Sequence, residues 1–268
     1  MEEVRTSIAT QIAEARERIE GLLLEIDDIV LQVNPHIEAE YATKIGYLEN
    51  DLLKWQIAAR RARRRFTLAQ ARANAGQGFA EDEFEEQLDA ELADWEAYLA
   101  KSMQAFLQAA EHLVGRKPLS PSETRELKRV HRELIKRLHP DLHPGQSDDE
   151  ERFFKIAQAA YERGDLSMLC TIAVATEGMG GEPDDSVLSE DEAAAELEIV
   201  LAHERVIEQR LSALKQSNPY ALMEKLEDGV WVVQRTTELK AQIEEQKAVA
   251  RAYDERFRAL MERDGDGY

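Results

Sequence analysis

The sequence predicts an all-α protein: long antiparallel helical hairpin and coiled-coil arms around a small helical module. Three observations carry that expectation. Charged residues make up 33% of the chain, aromatics only 6%, and Ala, Glu, Leu and Arg are abundant, which is the composition of long helices. Apolar residues alternate by four and three positions over long stretches, the period of a helix that seeks a partner helix. Ser120–Glu123, Ser147–Glu150 and Ser189–Glu192 are each a Ser-x-x-Glu capping box, a local signal for a helix start. The only strand-like run, Gly229-Val230-Trp231-Val232-Val233, has helical flanks and reads as helix.

The elements follow in order. Ile8, Ile12, Ala15, Ile19, Leu22, Ile26, Ile29 and Val33 form one seam, which Asn34-Pro35 is expected to end. A second helix should run from Ile37 to Asn74, with Tyr41, Leu48, Leu52, Trp55, Ala59, Ala62, Phe66 and Ala69 on its stripe. Ala75-Gly76-Gln77-Gly78 is a turn. Across it the charge changes sign: Arg60, Arg61, Arg63, Arg64, Arg65 and Arg72 precede it, and nine acids with no Lys or Arg lie between Glu81 and Glu96. Folding back at the turn sets these faces side by side, so an antiparallel hairpin with interhelical ion pairs is expected. Exposed pairs contribute about 0.2–1 kcal/mol each, so they choose the partner more than they stabilise it.

Further on, Ser122 to Leu138 reads as a basic amphipathic helix. Leu127, Val130, Leu134 and Leu138 share one face, and Arg125, Arg129, Arg132 and Lys136 cluster on nearly the opposite one, with Lys128 flanking. The helix stops at His139-Pro140-Asp141. Phe154, Ala157, Ala160 and Tyr161 on the next helix can cover its apolar face. Glu177 to Asp185 is Gly-rich and acidic and reads as a flexible linker. A helix from Ser189 to about Gln216 follows, then a break at Ser217-Asn218-Pro219. In the last helix Leu239, Ile243, Gln246, Ala250, Tyr253, Phe257 and Leu260 again alternate by four and three. The expected segments are therefore 1–105, an N-terminal helical hairpin; 106–176, the small module; 177–188, the linker; 189–262, a C-terminal coiled-coil segment; and 263–268, a disordered tail.

Composition narrows the function. A net charge of −20 argues against nucleic acid as the main partner, because that affinity rests on cation–phosphate contacts. The Arg60–Arg72 cluster is a rival nucleic-acid or lipid site, but it lacks interleaved aromatics and has acids expected beside it. The sole cysteine, Cys170, excludes an intrachain disulfide and sits in an apolar run that reads as core. No uncharged apolar run approaches the about 20 residues of a membrane span. The acidic N-terminus does not resemble a signal peptide. A soluble cytoplasmic protein is expected. His139 and His143 flank Asp141, yet Pro140 and Pro144 prevent a regular helix and no fourth ligand is evident, so no metal or other cofactor is expected. Asp264-Gly265-Asp266-Gly267 lacks the remaining ligands of a calcium loop.

The run Lys136-Arg137-Leu138-His139-Pro140-Asp141-Leu142-His143-Pro144-Gly145, followed by Phe154-Lys155-Ile156-Ala157-Gln158-Ala159-Ala160-Tyr161, resembles the J-domain family of DnaJ-like co-chaperones. The likeness covers at most Phe106 to Thr176, with Ala110 to Gly115 a loose match to the family's first helix. It implies a non-enzymatic protein that docks on a DnaK-type chaperone ATPase and stimulates its ATP hydrolysis. On that resemblance Arg125, Lys128, Arg129, Arg132 and Lys136 would steer onto an acidic face of the ATPase. Asp141 would engage a cationic group, Pro140 would set the backbone direction and His139 would orient the loop. No residue would be catalytic. The coiled-coil arms would bind a client protein or form a homo-oligomer. The alternative is a structural, scaffolding coiled-coil protein whose J-like module does not act on a chaperone.

Overall fold

The computed structural model describes residues 2–80, 82–114, 119–181 and 189–265. Among these residues the fold is all-α, with no strand. The helices are α1 (Glu2–Asp28), α2 (Asn34–Tyr41), α3 (Tyr47–Asn74), α4 (Glu85–Val114), α5 (Pro121–Leu138), α6 (Asp148–Arg163), α7 (Leu166–Ala175), α8 (Glu190–Gln216), α9 (Met223–Glu227) and α10 (Gly229–Gly265). π-Helical turns at Ile29–Val33 and Ala42–Gly46 join α1 to α2 and α2 to α3. All three capping boxes form, each with the Ser side chain accepting from the Glu backbone N–H and the Glu carboxylate returning to the Ser backbone.

Pro35 does not end the first helix as expected. The hydrogen-bond ladder widens instead, with the Asn34 N–H donating to the Ile29 carbonyl. Pro35 then falls in the first turn of α2, where its missing N–H is tolerated.

The chain divides into two compact units, each assembled from separated stretches: Met1–Ile37 with Val114–Met223, and Glu38–Leu113 with Glu224–Tyr268. The consecutive segments 1–105, 106–176 and 189–262 are thus distributed over both units. The reason lies in the seams: each long apolar stripe is covered by a helix distant in sequence.

In the first unit α1 and α8 run parallel, with Arg16 pairing Glu196 at 2.9 Å and Glu25 pairing Lys215 at 2.5 Å. Ile12, Ala15, Ile19, Leu23 and Ile26 bury against Val200, Ile207 and Leu211. The seam steps from the expected Leu22, half-buried, to Leu23. The same core continues into α5, α6 and α7 through Leu134, Ile135, Leu138, Phe154, Tyr161, Leu169 and Ile172.

In the second unit α3 and α10 run parallel, fixed by Glu49–Arg235 at 2.8 Å and Arg65–Asp254 at 3.1 Å. Leu48 packs with Leu239 and Ile243. Past the turn at Gly76, α4 runs antiparallel to α3. Arg72 meets Glu83 at 2.6 Å, Arg61 meets Glu85 at 2.6 Å and also Asp89, and Arg64 grips Glu91 with two hydrogen bonds of 2.7 and 2.8 Å. That grip, helped by Gln87, holds the Glu91 carboxyl down to about 2. The hairpin therefore closes as its charge pattern dictates.

Three local expectations need correction. Cys170 is exposed, because α7 turns Leu169 and Ile172 inward and leaves Cys170 on the outside. The start of the linker is ordered: Met179 packs on the core and the Gly180 N–H donates to Glu150 Oε1 at 3.2 Å. Residues 182–188 of the linker lie outside the described residues. Helix α10 continues through Gly265, three residues into the expected tail, and 266–268 lie outside the described residues.

Candidate docking site at the His-Pro-Asp bend

Helix α5 begins at the Ser120 capping box with Pro121 in its first turn, where a missing N–H costs nothing. Its period buries Leu127, Val130, His131, Leu134, Ile135 and Leu138. Arg125, Lys128, Arg129, Arg132 and Lys136 are all exposed. The helix ends because a residue before proline avoids helical geometry: His139 takes φ −71°, ψ 129°. Helix α6 then returns antiparallel, its Tyr161 stacked on His131 at 3.8 Å and its Phe154 edge-on to His139 at 4.9 Å. Pro140 and Asp141 thus form the bend of a two-helix hairpin.

Inside the bend, the Asp141 N–H donates to His139 Nδ1 at 3.0 Å, and the Leu142 and His143 N–H groups donate to the His139 carbonyl, each at 3.0 Å. Since Nδ1 accepts, the ring's proton belongs on Nε2. His139 is only 7% exposed, and burial pushes its pKa below the ordinary value, opposed by the Asp141 carboxylate. An imidazole with a depressed pKa contributes stability that is fully present above its unfolded pKa of about 6.5 and is lost as pH falls from there through the lower folded value. Acidification from pH 7 to 5 is therefore expected to loosen the bend, read as faster amide exchange at Asp141 once the intrinsic pH effect is removed. Unchanged protection would contradict the buried neutral ring.

The cationic face is less free than its sequence implies. Arg129 bonds Glu126 at 2.6 Å and also Glu133, which raises its pKa. Lys128 Nζ lies 3.0 Å from Asp28 Oδ2 of α1. Arg125 and Arg132 have no ion pair among the described residues. Asp141 is half-buried, and its Oδ2 lies 3.8 Å from Arg210 Nη1 of α8, a pair exposed enough to contribute little.

Several contributors were not singled out from sequence. Asp27 and Asp28 of α1 reach over α5 and α6: Tyr161 Oη donates to Asp28 Oδ1 at 2.8 Å, and Gln158 Nε2 donates to Asp27 at 3.3 Å. His131 Nε2 lies 3.3 Å from Asp27 Oδ2 but without hydrogen-bond alignment. His131 was legible in principle, since it stands four residues after Leu127 on the apolar face. Arg137 points back to donate to the Ala173 carbonyl at 2.7 Å and Thr176 Oγ1 at 2.9 Å. The cover over α5 and α6 comes from α1, whereas Ala110–Val114 form the last residues of α4 and Gly115 lies outside the described residues.

No group of three or more His, Cys, Asp or Glu side chains converges as a metal site would require, among the described residues. Nor is any helix there long and apolar enough to cross a membrane. What the bend offers is a half-buried carboxylate, Asp141, beside a helix whose basic side chains are exposed. Compared with protein-family models, curated proteins and solved structures, the chain has no significant match.

Proposed function

We propose that this protein is a cytoplasmic, non-enzymatic J-domain-like co-chaperone that docks on a DnaK-type chaperone ATPase and stimulates its ATP hydrolysis. The observation that supports the reading is the position of His139-Pro140-Asp141 at the bend of the α5–α6 hairpin, directly after a helix whose Arg125, Arg132 and Lys136 are exposed. The basic face would steer encounter with an acidic surface, an effect that salt screens. Asp141 would leave Arg210 for a cation on the partner, a small cost for so exposed a pair. The helical arms would hold a client or a second copy. ATP hydrolysis itself belongs to the partner.

The structural, scaffolding alternative keeps support from specific contacts. His139 is buried, Arg129 and Lys128 are engaged by the chain's own acids, and α1 covers the hairpin. On that reading α5 to α7 serve as a packing block.

One assay separates the two. ATP turnover by a DnaK-type chaperone is measured with the full chain at low salt. The co-chaperone reading expects several-fold stimulation, lost in Asp141→Asn and His139→Gln and falling as salt rises. Asp141→Asn is the cleaner variant, because its half-exposed side chain leaves the core untouched, which circular dichroism checks. Absence of stimulation by the wild-type chain defeats this proposal and leaves the scaffold.

A further inference from the structure

Helix α8 carries two seams on nearly opposite sides. Along the inner one Leu197, Val200, Ile207 and Leu211 pack on the core shared with α1, and Glu204, on the same line, is held by Arg18 at 2.9 Å. The outer one is Ala195, Ile199, Ala202, Val206, Gln209 and Ala213, which steps by four, three, four, three and four. At about 100° per residue it lies about 150° round the helix from the inner seam. All six residues are exposed, Ile199 at 63% and Val206 at 61%. A line of this period, apolar from Ala195 to Val206, is a coiled-coil seam that lacks its second helix.

Size and charge along the outer seam select its occupant. The seam alternates small and large: Ala195, Ile199, Ala202, Val206. Glu198 and Arg205 stand seven residues apart on one flank, each immediately before a large seam residue. Both are exposed, and neither has an ion pair among the described residues. A line of this kind complements its own reversed copy in volume and in charge, which is what a twofold interface requires.

We infer that α8 pairs antiparallel with α8 of a second copy through this seam, about a twofold axis level with the Val200–Leu201 peptide. In that register Ile199 faces Ala202 of the partner subunit, Val206 faces Ala195 of the partner subunit, and the twofold repeats both layers. Each of the four layers sets one large side chain against one methyl group, so the helices close without void or crowding. The axis is perpendicular to both helices and keeps each flank on its own side. Glu198 therefore comes beside Arg205 of the partner subunit, and Arg205 beside Glu198 of the partner subunit, offset by two residues or about 3 Å along the helix. On the other flank Glu196 comes beside His203 of the partner subunit, so neither flank opposes like charges. A parallel pairing would instead set Ala202 against Ala202 of the partner subunit and Arg205 beside Arg210 of the partner subunit. The antiparallel overlap spans 190–211, about 33 Å of helix. The inference rests on the seam and not on the chaperone reading, so a failed ATPase assay leaves it standing.

Sedimentation equilibrium of the full chain at micromolar concentrations and physiological salt tests it. The wild type is expected to dimerise. Glu198→Arg and Arg205→Glu each create two like-charge contacts per dimer and should weaken association roughly tenfold, whereas Glu198→Arg/Arg205→Glu exchanges the charges and should recover it. Ala202→Leu separates this register from unspecific apolar contact. Added apolar surface would strengthen an unspecific contact, but here it crowds Ile199 of the partner subunit and should weaken the dimer. Ile199→Ala/Ala202→Ile exchanges the two members of a layer and should keep it. All these positions are exposed, so helix content by circular dichroism should not change. A monomeric wild type, a dimer indifferent to the single charge variants, or no recovery in the double charge variant each overturns the proposal. A dimer strengthened by Ala202→Leu overturns it as well.

Discussion

Gly180→Ala is expected to destabilise the first unit by about 3 kcal/mol or more, a large effect for one methyl group. A Cβ at this position would lie 2.1 Å from the Arg137 carbonyl oxygen and 2.9 Å from its carbon. Both are backbone atoms near the end of α5, so no side-chain rotation relieves the clash. The positive φ of 69° adds a left-handed penalty of about 1 kcal/mol for any L side chain. Moving the segment away would also break the Gly180–Glu150 hydrogen bond and lift Met179 from the core. Because Arg137 stands two residues before His139, the damage should reach the bend, with faster amide exchange in the last turn of α5. Gly76→Ala is the matched control: φ is 66°, but nothing lies within 4 Å of the added Cβ, so only the conformational penalty applies. Equal denaturation midpoints for the two variants would show that the close approach to Arg137 is not made in solution.

Tyr161 is the other position of large effect. It is 1% exposed, lies parallel to His131 at an interplanar angle of 5°, and donates to Asp28. Burial, then the Asp28 charge, drives its pKa well above the usual tyrosine value, so it remains a donor throughout the working pH range. Tyr161→Ala removes the ring that α1, α5 and α6 share and should cost about 3–5 kcal/mol. Tyr161→Phe keeps the ring and removes one hydroxyl, costing about 1–2 kcal/mol, chiefly by leaving Asp28 with Lys128 alone. The two variants together separate packing from hydrogen bonding. If Tyr161→Phe were as damaging as Tyr161→Ala, the hydrogen bond to α1 rather than the stacked ring would dominate.

Both sites show where sequence reading stops. Leu127, Val130, Leu134 and Leu138 bury as their period requires, as do Phe154, Ala157, Ala160 and Tyr161, because neighbours on one helix face share an environment. The same period exposes Arg125 and Arg132. It does not reveal that Asp28 would take Lys128, or that Asp141 would face Arg210, since those partners lie in α1 and α8. Periodicity also misjudged Cys170, where an apolar run suggested core although a short helix can bury only one side. Pro35 was misread because the expected break assumed a regular α-ladder, and a π-turn accommodates the missing donor.

What the sequence determined by itself is local. Helical composition, three capping boxes, the turn at Gly76, the charge-matched α3–α4 hairpin and the extended residue before Pro140 all follow from interactions within a few positions or across one turn. Tertiary structure alone decided which helix covers which seam. An apolar stripe specifies that it must be buried, but hydrophobic burial has no direction and identifies no partner. The pairing of α1 with α8 and α3 with α10 therefore rests on long-range complementarity of shape and charge, such as Arg16 with Glu196 and Glu49 with Arg235. That same choice leaves the outer seam of α8 uncovered and puts the acids of α1 against the basic helix, for the reason that each seam can be satisfied only once.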